Sequence, residues 1–115
     1  MLTYAVVIFA IGALGGLVLA SHVLRGKLAP WSVSLLHAGL GAIGLLLVIY
    51  AALATGISTA ATWALVILVI AALGGFYLAS IHLRSEVAPK PVVFVHAGIA
   101  VIGFLTLLGV VVGAI

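Results

Sequence analysis

Four apolar stretches, each long enough for a membrane-crossing helix, occupy almost the whole of this 115-residue chain. A bilayer hydrocarbon core takes about 20 predominantly apolar residues per helical span. The stretches run roughly Leu2 to Leu24, Trp31 to Ala54, Thr59 to Leu83, and Val92 to the C-terminus. Charged residues make up 4% of the chain, against about 25% in soluble domains, and no stretch is left over for a soluble domain. Within hydrocarbon each backbone N–H and C=O needs an internal partner, which runs of this length find as helices. The expected fold is all-α. It is one domain over residues 1–115, a four-transmembrane-helix bundle with short connections and antiparallel neighbours.

The connections set the orientation. Arg25, Lys27, Arg84 and Lys90 fall in the first and third, while Thr55 to Ser58 carries no charge. The positive-inside rule then puts the first and third turns in the cytoplasm and both termini outside. Tyr4, Tyr50 and Trp63 mark the outer interface and Trp31 the inner one. Span one has no basic residue before it and so lacks the flank of a cleavable signal peptide. The net charge of +3 comes from residues beside the spans, which is a membrane pattern and not a nucleic-acid one. The absence of cysteine removes disulfides, thiolate metal sites and iron–sulfur clusters together.

The two halves align at an offset of 59 residues: Gly15 with Gly74, Ser21 with Ser80, Arg25 with Arg84, Pro30 with Pro89, His37 with His96. Repeat one covers about 2–55 and repeat two about 59–115. Each holds two spans, so the copies run parallel and are related by an axis along the membrane normal. One detail breaks the match. His22 aligns with Ile81 and His82 with Val23, a one-residue shift worth about 100° around a helix axis.

Histidine is the chief polar chemistry within the spans. His22 and His37 are centred between residues 29 and 30, and His82 and His96 on residue 89, both at the prolines of the charged turns. Equal distance from a hairpin turn means equal depth, so all four imidazoles are expected in one layer near the cytoplasmic face. Ionisable groups at such depth are usually partnered and often functional. Each histidine has a glycine seven residues deeper: Gly15 for His22, Gly44 for His37, Gly75 for His82, Gly103 for His96. Seven residues leave a pair about 20° apart on one helix face. His37 and His96 also have Gly41 and Ala100 four residues on. Such clearance suits a flat macrocycle ligated by histidine, with acidic groups paired to Arg25, Arg84, Lys27 and Lys90 at the cytoplasmic edge. Small residues also serve simple helix packing, and Gly12/Gly16 and Gly109/Gly113 have GxxxG spacing.

Imidazole suits haem iron, copper, nickel or zinc. Structural zinc usually adds cysteine or carboxylate, and no span contains Asp or Glu. Haem is the easier fit: two neutral histidines complete it axially and its propionates bring negative charge. Bacteriochlorophyll helices place a small residue four before the ligand, where this chain has Val18, Val33, Leu78 and Val92.

The unit His82-Leu83-Arg84, Pro89, His96-Ala97 resembles one found in small four-span bacterial membrane proteins. The whole chain resembles four-helix membrane b-type cytochromes, in which bis-histidine haem packs against glycine. That resemblance implies haem b, one or two per chain, on His22, His37, His82 and His96, and a place in the bacterial inner membrane. Cytochromes of quinol-oxidising complexes pair histidines along one helix. Here a proline and charges interrupt each pair, and no histidine lies in the outer half. Electron transfer across the full membrane by this chain alone is not expected.

The leading expectation is a membrane cytochrome passing electrons to a quinone or partner subunit. No nucleophile–base pair, intramembrane carboxylate or phosphate loop is present, so the chain is not expected to be an enzyme. The alternatives are a cofactor-free accessory subunit of a larger redox complex or homo-oligomer, packed through its small residues, and a small metal or haem carrier.

Overall fold

Each helix starts and stops for a local reason. The computed structural model describes residues 1–115, and α1 (Leu2–Leu24) ends at Gly26, whose φ of +68° only glycine adopts freely. Gly26 N–H donates to Val23 O and Lys27 N–H to His22 O, the two bonds of a Schellman cap. The end of α3 (Thr59–Leu83) repeats this geometry, with Ser85 at φ +55° in the glycine position. Helices α2 (Trp31–Ala54) and α4 (Lys90–Val111) restart directly after Pro30 and Pro89, both extended. Ser58 caps α3 by accepting from Ala61 N–H at 3.1 Å. The expected bounds of the first three spans hold. Span four starts two residues earlier than expected, because Pro91 is tolerated in a first turn where its missing N–H costs nothing. It stops at Val111, because Gly113 turns left-handed and Ala114 N–H donates back to Gly109 O.

All four helices are long and apolar enough to cross a membrane. Large apolar side chains such as Leu35, Leu53, Phe76 and Leu83 cover the outside, as befits a surface that meets lipid. The bundle measures 42 × 21 × 19 Å. Helix α1 packs closely along α2 and α3 along α4, making two hairpins. The α1–α4 and α2–α3 contacts between hairpins are thinner, and the backbones of the diagonal pairs do not come close.

The core lies toward the end that carries the termini. Ala5, Val48, Ala64 and Leu107 have no exposed surface there, and Val6 and Leu68 join them. Ala5 with Ala64, and Val48 with Leu107, are pairs at the 59-residue offset. Glycine lets large side chains interlock beside this cluster. A Cβ on Gly44 would lie 2.6 Å from the Phe9 ring, and one on Gly103 2.8 Å from Leu68. These two contacts are also equivalent at the offset. Away from this end the hairpins leave a space between them.

Candidate functional site

His37 on α2 leans onto α1, where Nδ1 donates to the Gly12 carbonyl at 2.8 Å. His96 on α4 does the same to Ala71 on α3, also at 2.8 Å. The two bonds are equivalent at the offset of 59. A helix carbonyl can accept a second bond through its other lone pair, and the ring reaches it because the facing helix is stripped of side chains. A Cβ on Gly16 would lie 2.9 Å from His37 Cε1, and one on Gly75 3.2 Å from His96 Cε1. Gly15 and Gly74 border the same rings at 3.5 Å. A carbonyl only accepts, so Nδ1 carries the proton and, in the neutral ring, Nε2 presents a lone pair. Neither Nε2 has a protein partner, and neither is sealed off. The ring centroids are 6.3 Å apart and the planes nearly perpendicular, at 85°.

Both rings line a cavity of about 910 Å³ between the hairpins, within the usual range for a ligand pocket. Its floor is Phe9, Leu45, Leu68 and Phe104, the layer that seals the core. Its mouth lies at the charged turns, with Lys27 and Leu28 on one turn and Glu86 and Val87 on the other. The walls are mostly apolar and include Gly41 and Ala100. Leu17 and Phe76 line the cavity yet are 68% and 70% exposed, so the seams between hairpins are thin toward lipid.

The other two histidines do not join the pair. His82 lies on the cavity wall, its ring stacked on Trp31 with centroids 4.0 Å apart and planes 11° from parallel. Its Nε2 is enclosed and has no partner. His22 bonds through Nδ1 to Val18 O of its own helix at 2.8 Å and is not on the cavity wall. The expectation of four imidazoles in one layer is therefore corrected: His37 lies level with Gly15 and His96 with Gly74, which leaves His22 and His82 about 10–12 Å nearer the turns. Ile81, the counterpart of His22, is buried, while Val23, the counterpart of His82, lines the cavity.

The glycines also work differently from the expected pattern along one helix. Gly15 borders His37, not His22, and Gly75 borders His96, not His82; Gly44 and Gly103 receive Phe9 and Leu68. The clearance at Gly16 and Gly74 is not among the expectations from sequence, although each has a glycine counterpart at the offset, Gly75 and Gly15. Arg25 and Arg84 are satisfied locally instead of at the cavity. Arg25 Nε donates to Ser21 O at 3.1 Å, and Arg84 pairs with Glu86 at 3.5 Å. Lys27 is the basic residue that reaches the cavity lining. Comparison with family models, curated proteins and solved structures found no match to the chain.

Proposed function

We propose that the protein is a membrane b-type cytochrome, holding one haem b between His37 and His96 and passing electrons to a quinone or a partner subunit. The histidine pair carries this reading. Two imidazoles sharing one metal, each nitrogen about 2 Å from it and each ring centre about 1 Å further back, have centres about 6 Å apart. The observed separation is 6.3 Å. The Nδ1–H bonds to Gly12 and Ala71 fix the tautomer and aim of each ring, the usual support for a ligating histidine. No three His, Cys, Asp or Glu side chains converge. Two imidazoles alone under-coordinate a bare zinc ion and suit a metal that arrives inside a macrocycle.

When bound, haem supplies reversible one-electron exchange at its iron. The protein's part is to hold, orient and dry. His37 and His96 hold the metal, Gly16 and Gly75 set where the rings lie, and the apolar walls exclude water and so influence the potential. In this reading the membrane is the bacterial inner one, and the positive-inside rule favours the charged turns and the mouth in the cytoplasm with both termini outside. Matched contacts at the 59-residue offset support an architecture of two parallel two-helix repeats. The thin seams favour a lipid-dissolved partner such as a quinone.

The deciding experiment is the visible spectrum of protein purified from a haem-sufficient host. Dithionite should produce sharp bis-histidine haem bands at one haem per chain, and their absence would sink the reading. A cofactor-free accessory subunit is the rival, because the two histidine–carbonyl bonds also tie helix to helix without any ligand. It predicts no such bands.

A further inference from the structure

The histidine pair is symmetric at the repeat offset, but the mouth of its cavity is not. Lys27 on one turn is matched by Glu86 on the other, so equivalent positions carry opposite charges. His82 is matched by Val23, and its stacking partner Trp31 by Lys90. Lys27, Trp31 and His82 are thus a polar set with no chemical twin in the other half. Trp31 and His82 are in contact, and Lys27 lies on the turn leading into Trp31.

Within this set His82 Nε2 is an enclosed nitrogen without a partner. Buried polar atoms are normally satisfied, and an orphan asks for an explanation. Trp31 lies flat on the ring, so a partner for Nε2 must approach in the ring plane, where an imidazole bonds. Lys27 offers N–H donors and no acceptor. Glu86, the acidic group at the mouth, is engaged by Arg84 at 3.5 Å. At this end of the apolar cavity the enclosed His82 Nε2 lacks a partner, and the exposed Lys27 ammonium stands on the turn beside it with no protein carboxylate bound.

We infer that His82 and Lys27 form a subsite that receives a carboxylate on the edge of the tetrapyrrole. This inference rests on the haem reading above and adds to it. The symmetric pair His37 and His96 cannot by itself decide which way round an acidic ring sits. His82 and Lys27 decide it, and the arginines of the turns do not.

The test titrates apo-protein in detergent with haem and with haem dimethyl ester, which lacks free carboxylates. Wild type should prefer the diacid by about tenfold or more, as charge-assisted bonds of this kind provide. His82→Val, which installs the residue of the other repeat, and Lys27→Ala should each remove most of that preference. His82→Gln keeps an N–H donor and should retain part of it. Bis-histidine bands in every variant would report that the fold and the His37–His96 pair are intact. A preference unchanged by His82→Val and Lys27→Ala, with bands present, overturns the subsite and leaves the haem reading standing. Wild-type protein that gives bands with neither porphyrin overturns both.

Discussion

Toward the termini, Phe9 fills the space over Gly44 and Leu68 the space over Gly103. Toward the charged turns, Gly16 and Gly75 face imidazoles instead, and the centre between the hairpins stays open. Both ends use glycine at positions repeated every 59 residues, yet one end is solid and the other hollow. What differs is the side chain opposite. A ring or branched chain that enters the bundle fills it, whereas an imidazole bonded back to its neighbour's backbone leaves the middle free. In lipid, helices gain little from burying apolar surface and associate through close packing. The solid end therefore holds the hairpins together so that the hollow end can remain hollow.

The largest effect should come from His37→Leu combined with His96→Leu. Reduced haem bands should vanish while helix content and membrane insertion match wild type, by absorption and far-ultraviolet circular dichroism. Bands at wild-type strength would mean that the hollow end does not hold the cofactor through this pair. A glycine contrast comes next. Gly44→Ala drives a Cβ into the Phe9 ring and should cost about 1–3 kcal/mol of stability through overpacking, leaving the spectrum unchanged. Gly16→Ala pushes instead on the His37 ring tip and should shift the spectrum or potential with a smaller loss of stability. Equal behaviour of the two in denaturant and spectrum would erase the distinction between the ends. Smallest of all, Arg25→Ala and Arg84→Ala should each change stability by less than about 1 kcal/mol. The Arg84–Glu86 pair is more than half exposed on both sides. Haem affinity should not move, and a large drop would return the arginines to the site.

How much of this was legible before the structure depends on which coordinate is asked for. Helix extent was readable: hydropathy, prolines and charged turns placed α1, α2 and α3 at their observed bounds. Histidine depth was not, because the hairpins fold about Gly26 and Ser85 and not about the prolines, so His22 and His82 lie about 10–12 Å nearer the turns than His37 and His96. Direction around each helix was not readable. These helices are apolar on every face, so no amphipathic stripe distinguishes inside from outside. A one-residue shift between His22 and His82 then changes direction by about 100°. That is why the pairing of the histidines stayed open, and the structure brings His37 and His96 together across the bundle. One signal did carry direction. His37 and His96 are strict equivalents at the offset, and residues related by a central axis can meet across it. His22 and His82 are not equivalents, and they do not meet. The glycine pairs Gly15-Gly16 and Gly74-Gly75 repeat alongside, a cue usable only once contacts between neighbouring helices are weighed above contacts along one.

Each imidazole takes its anchor from the helix just before it in the chain, 25 residues away and inside the same hairpin. The aim of either ring is consequently a property of half a molecule. Under the haem reading each hairpin by itself carries a finished jaw, and docking the second hairpin only has to bring two such jaws to the right gap. Assembly order and ligand geometry are thereby uncoupled, and the short link from Thr55 to Ser58 supplies proximity without shaping the grip.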